Sequence, residues 1–97
     1  MKENCPKGME EMELHEWSDK LKSLAHPVRL RIVEGLLRDE CNVKKIQVGL
    51  GLPQSTVSQH LAILRKEKIL RAERKGTQKC YKVVDLKVVE LIRLISK

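Results

Sequence analysis

The chain is 97 residues long, 41% of them hydrophobic, with a formal charge of +7 from 20 Lys and Arg against 13 Asp and Glu. That length bounds it to one folded domain. No apolar run nears the roughly 20 residues a bilayer span needs, and the N-terminus lacks the apolar stretch of a signal peptide, so a membrane or secreted protein is excluded and the expected location is cytoplasmic.

Residues 1–9, with Pro6 and Gly8, read as a flexible N-terminal arm, and 10–97 as the domain. Met12, Trp17, Leu21 and Leu24 recur at near-helical spacing up to Pro27, predicting a first helix over about 10–24. Pro27 suits the first turn of a second helix, about 27–38, whose apolar side is Val28, Leu30, Ile32, Val33, Leu36 and Leu37. Cys41-Asn42-Val43 has extended character, and Asn42 is placed to cap a third helix over about 43–50. Gly51 then provides a left-handed stop, and Leu52-Pro53-Gln54-Ser55 turns into an amphipathic helix with Val57, Leu61 and Leu64 inward. Its opposite face carries Ser55, Thr56, Ser58, Gln59 and His60, small polar groups able to meet base edges in a major groove.

After Lys68 the period changes to that of a strand, and Ile69–Arg74, Lys75-Gly76-Thr77-Gln78 and Lys79–Val84 read as a hairpin with a basic tip. A last helix holds Leu86, Val88, Val89, Leu91, Ile92, Leu94 and Ile95, apolar around more than half its girth, an excess that needs a partner. The fold class is therefore mainly α with a small β-hairpin wing, about five helices in all.

Charge and composition name the partner. Residues 1–20 hold three positive and six negative side chains, so the rest of the chain nets +10. Within 65–82 lie Arg65, Lys66, Lys68, Arg71, Arg74, Lys75, Lys79 and Lys82 against Glu67 and Glu73 alone, a local field suited to a polyanion. With 2% aromatic residues there is no stacking surface for single strands or RNA, which favours duplex DNA. Neither a phosphate-cradling glycine loop nor a Cys-His-Asx set is present, so no catalytic residue is assigned and the chain reads as no enzyme. The rival reading is a winged helix serving as an architectural or protein-interaction module without a ligand.

The order helix, helix, helix, turn, helix, hairpin, helix resembles the ArsR/SmtB family of winged-helix repressors over about 10–96. Leu24-Ala25-His26-Pro27-Val28-Arg29-Leu30-Arg31-Ile32 looks like the start of that family's second helix, and Leu52-Pro53-Gln54-Ser55-Thr56-Val57-Ser58-Gln59-His60-Leu61 with Leu64-Arg65 like its recognition helix. The resemblance implies that Gln54, Ser55, Thr56, Ser58, Gln59 and His60 face the major groove, with Arg65 beside them. Arg74, Lys75, Thr77, Gln78 and Lys79 of the wing would track phosphate or a minor groove. It also implies a homodimer through the first and last helices, with Trp17, Leu21, Val88, Leu91, Ile92 and Ile95 at the interface, and a pseudo-palindromic operator. Lys68 stands where the family turns through a glycine, at a cost of roughly 1 kcal/mol if its φ is positive.

The implied function is a repressor released by an inducing signal, with no cofactor required. Cys5, Cys41 and Cys80 are the candidate sensor thiols. Their odd number argues against a disulfide scaffold and predicts reduced thiols at rest. Three readings stand side by side: a Cys41–Cys80 bond that ties the wing to the third helix under oxidation, a soft metal or metalloid held by Cys5 and Cys41 with a further donor, and buried filler. No confident metal site emerges. The family's Asp-x-His zinc pair at the last helix is here Asp85 and Lys87, and one thiol replaces its Cys-x-Cys pair. His60 reads as a phosphate or base contact, His26 as a cap or packing residue of the second helix, and His15 as surface.

Overall fold

The computed structural model describes residues 8–96, in the order α1 (Glu11–Leu24), α2 (Pro27–Arg38), α3 (Val43–Leu50), α4 (Gln54–Lys66), β1 (Leu70–Lys75), β2 (Gln78–Val83) and α5 (Leu86–Ile95). Each boundary has a local cause. The Glu13 carboxylate accepts from the Glu10 N–H at 3.1 Å, and with Glu11 it places acidic charge at the positive end of α1. Pro27 opens α2, and the His26 ring Nδ1 accepts from the Val28 N–H at 3.1 Å, so this histidine is the cap. Asn42 occupies the cap position of α3 without a side-chain bond to the helix, contrary to the expected role, and residues 40–41 form a turn rather than a strand. Gly51, at φ 68°, ends α3 and lets its N–H and that of Leu52 return to the Gln47 carbonyl. Asp85 caps α5, accepting from the Lys87 and Val88 N–H groups at 3.0 and 3.2 Å.

The hairpin pairs antiparallel from Leu70↔Val83 to Lys75↔Gln78, leaving Gly76-Thr77 as a two-residue turn with Gly76 at φ 65°. Lys68 does adopt φ 62° between α4 and β1, and its N–H reaches the Arg65 carbonyl at 2.9 Å.

The central helix is α2, which packs against α1, α3, α4, α5 and β2. Its Ile32, Val33 and Leu36 meet Leu61 and Leu64 of α4, Ile69, and Val88 and Ile92 of α5 in one core. Truncating one of these to Ala would cost about 2–5 kcal/mol, a large fraction of the roughly 5–15 kcal/mol that holds a domain of this size folded. Gly35 permits the close approach of α3: a Cβ there would stand 2.6 Å from the Ile46 Cδ1.

The expected interface roles of Val88 and Ile92 are corrected by this packing. They are 0% and 2% exposed inside the chain's own core and offer no surface to a partner. Because apolar residues wrap most of α5, the sequence pattern did not distinguish its inner face from its outer one. The outer apolar residues are Leu86, Leu94 and Ile95, matched on α1 by Met12, Leu14 and Leu21, while Trp17 and Leu91 are half-buried.

Candidate nucleic-acid interface

Helices α3 and α4 are joined by the Gly51–Pro53 turn, with Val57, Leu61 and Leu64 anchoring α4 in the core. That leaves Gln54, Ser55, Ser58, Gln59 and Arg65 exposed along the outer face, as the sequence pattern expects. Thr56 and His60 sit at its margin, half-buried, rather than on the outer face. His60 turns toward α2: its Nδ1 accepts from the Arg29 Nε at 3.1 Å, and its ring lies 4.8 Å from that of His26. Burial first, then the charge of Arg29 and the proximity of His26, holds the His60 pKa below the ordinary 6.5.

The wing presents Arg74, Lys75, Thr77, Gln78 and Lys79, all exposed. Lys75 Nζ lies 3.1 Å from the Glu40 carboxylate in the turn before α3, so the tip's cation is held back against the body. Arg71 donates to Glu73 at 2.8 Å, and that bond keeps the Glu73 carboxyl below its usual range. Between wing and helices a cleft of about 240 Å³ is lined by Lys44 and Gln47 of α3, Gln54 and Ser58 of α4, and Lys79 and Tyr81 of β2. Lys44 and Gln47 escaped the sequence reading because their charge and amide became meaningful only once α3 lay alongside α4.

This arrangement of helix, turn, helix and basic hairpin has counterparts among known proteins. Residues 26–72 match the sequence family described as bacterial regulatory protein, arsR family. Transcriptional repressor PagR of Bacillus anthracis is 42% identical over 89 residues, 91% of this chain and 89% of that one. The chain belongs to the ArsR family. As a member of that family it is a transcriptional regulator of the winged helix-turn-helix class, not an enzyme. The PagR crystal structure superposes with a TM-score of 0.77, covering 89% of this chain and 99% of that one. The biofilm growth-associated repressor of Xylella fastidiosa is 33% identical over 88% of this chain and 75% of its own. HlyU from Vibrio cholerae gives a TM-score of 0.80 at 30% identity, covering 89% and 94% of the two chains.

The cysteines of this chain decide among the three readings that the sequence left open. Cys41 and Cys80 are joined in a disulfide with their Cα atoms 4.3 Å apart, the bond that the redox reading of the sequence anticipated, here formed where reduced thiols were expected at rest. That reading named this pair: 39 residues separate its members, and the packing of the wing on the α2–α3 turn brings them together. One backbone bond, Tyr81 N–H to the Glu40 carbonyl at 2.8 Å, runs beside it in place of a third strand. Cys80 is fully buried and Cys41 half-exposed. Cys5 lies outside the described residues.

No metal-ligand cluster of three His, Cys, Asp or Glu occurs among the described residues. The Cys41 sulfur is engaged in the disulfide, so the expected Cys5/Cys41 metal or metalloid site lacks that thiolate in this state. Asp85, which the resemblance placed at a metal position, is instead paired with Lys20 of α1, and Lys20 and Lys87 stand over the Trp17 ring at 4.9 and 5.9 Å. Two ammonium groups at this point disfavour a divalent ion. Among the described residues no helix is long and apolar enough to cross a membrane.

Proposed function

We propose that the protein is a homodimeric repressor that binds a pseudo-palindromic duplex operator and whose hold on DNA is set by the Cys41–Cys80 pair. Gln54, Ser55, Thr56, Ser58 and Gln59 read base edges, while Arg65, Arg74, Lys75, Thr77, Gln78 and Lys79 meet the backbone. The exposed apolar residues of α1 and α5 pair with a second copy.

The observation that carries the reading is the covalent tie between the turn leading into α3 and the wing strand. Reinforced by the Lys75–Glu40 ion pair, it fixes the wing against the body, so the wing cannot adjust to the groove in the oxidised state. The reduced dithiol binds the operator, and oxidation releases it. The exchange balances with a small disulfide or persulfide as oxidant: the Cys41 thiolate attacks it and releases a thiol, leaving a mixed disulfide or a persulfide on Cys41, and the Cys80 thiolate then attacks the Cys41 sulfur, forming the protein disulfide and expelling a second thiol or hydrogen sulfide.

The test is fluorescence anisotropy on the protein's own upstream DNA, with reduced, oxidised, Zn²⁺-treated and arsenite-treated protein. Oxidised protein is expected to bind at least roughly tenfold more weakly, which corresponds to about 1.4 kcal/mol, and Cys41→Ser or Cys80→Ser to abolish the difference. Equal affinity in both redox states would show the cysteines to be packing and leave the ligand-independent module as the better reading. Release by metal or arsenite alone would transfer sensing to a site that includes Cys5.

A further inference from the structure

His60 is held by an arrangement that determines which of its nitrogens carries a proton. Its Nδ1 accepts from the Arg29 Nε at 3.1 Å, and a nitrogen that accepts is unprotonated, so the ring in this contact is neutral with its hydrogen on Nε2. Arg29 is aimed in turn, donating through Nη1 to the Ser23 carbonyl at 3.3 Å near the end of α1, where Ser23 is buried. His26 packs against the His60 ring with its planes tilted by 57° and has its own Nδ1 committed to the Val28 N–H. The titratable and charged groups facing His60 are therefore Arg29 on α2 and His26 at its cap. No buried side-chain nitrogen or oxygen among the described residues lacks a partner, and no described side chain takes up the His60 Nε2. That atom accordingly reaches solvent at the margin of α4, next to Gln59.

We propose that Arg29 is a positioning residue for DNA recognition: it fixes His60 as the neutral Nε2–H tautomer, and that uncharged ring donates one hydrogen bond to a backbone phosphate oxygen. This rests on the reading of α4 as the DNA-facing helix. The margin of α4 is where a phosphate passes while the outer face addresses bases, and a directed N–H to a phosphate orients the helix without adding charge. A protonated ring would lose the Arg29 bond and stand as a like charge beside it.

The experiment combines side-chain ¹⁵N spectra of histidine with anisotropy measurements on reduced protein, using cognate and scrambled duplexes. In the unsubstituted protein at neutral pH the His60 signals are expected to show the Nε2–H tautomer, and Arg29→Met to shift them toward a mixture and raise the titration midpoint. His60→Ala is expected to weaken both duplexes by roughly tenfold, the scale of one charge-assisted hydrogen bond. His60→Gln, whose amide can accept from Arg29 and donate outward, is expected to stay within about threefold of the parent on the same scale. That contrast holds even if Arg29→Met does not fold. An Nδ1–H tautomer, full affinity in His60→Ala, or a loss on the cognate duplex alone would overturn the proposal. Absence of salt-dependent binding by the unsubstituted protein would overturn the DNA reading itself, whatever the tautomer.

Discussion

Lys20 of α1 and Asp85 at the cap of α5 form an ion pair whose side chains are only 19% and 11% exposed. The Asp85 carboxylate thus serves two helices, accepting from the first N–H groups of α5 and from the ammonium of α1. Burial alone would raise its pKa, but Lys20 and the two backbone donors together hold it below the ordinary 3.8. A carboxylate with a depressed folded pKa contributes stability that is present above the unfolded value and lost as pH falls through the folded one. Lys20→Met should cost about 1–3 kcal/mol at neutral pH by leaving that carboxylate without its cation, and should flatten the acid limb of the denaturation profile. Urea melts at a series of pH values check both effects.

His60 titrates in the opposite sense of charge but with the same direction of slope. Its folded pKa lies below the unfolded 6.5, so the unfolded chain binds the extra proton, and stability is lost as pH falls from about 6.5 through the folded value. His60→Gln should remove this slope below about pH 6.5 while leaving that of Asp85 unchanged. A slope that persists in the variant would place its origin elsewhere.

The Lys75–Glu40 pair predicts a gain of function. Glu40→Gln removes a carboxylate beside the wing and frees Lys75 for phosphate, so DNA affinity should rise at low salt. Lys75→Gln should weaken all sequences alike and reduce the slope of log K against log salt by about 1. Gln59→Ala should instead relax discrimination at one base pair by about 1–3 kcal/mol. Titrations at three salt concentrations with matched and mismatched duplexes separate the three outcomes.

Unequal exposure of the two cysteines predicts an order of attack. With Cys80→Ser the half-exposed Cys41 should form a mixed disulfide with a small disulfide reagent quickly, whereas in Cys41→Ser the buried Cys80 should react slowly. Intact-mass time courses read the difference, and equal rates would contradict the burial.

Removing the left-handed strain at Lys68 should stabilise the fold. Lys68→Gly is expected to gain at most about 0.5 kcal/mol, the relief of a side chain at positive φ less the entropy glycine loses on folding. Thermal melts of parent and variant under the same redox conditions measure it.

Element order and boundaries were legible because punctuation residues act locally: Pro27 can only open a helix, Gly51 tolerates φ 68°, and Gly76 turns the hairpin. The outer face of α4 was legible for the same reason, since Val57, Leu61 and Leu64 define the opposite side within one helix. What escaped depends on contacts between distant segments. His60 lies on the margin because Arg29, 31 residues earlier, draws it there, and the inner face of α5 is chosen by α2 rather than by its own pattern. The Lys20–Asp85 pair spans 65 residues, and nothing local to either residue announces the other.

The Cys41–Cys80 bond also divides the chain topologically. It closes a ring that contains α3, α4 and β1, and every side chain proposed to touch DNA between Gln54 and Lys79 lies within it. The helices with unpartnered apolar faces, α1 and α5, emerge from that ring as two tails. A protease cut inside the ring leaves a single covalent molecule until reductant is added, whereas a cut in a tail frees a fragment at once. Reading head and pairing tails are in this way separate covalent compartments, and chemistry at one sulfur–sulfur bond opens the first while leaving the second intact.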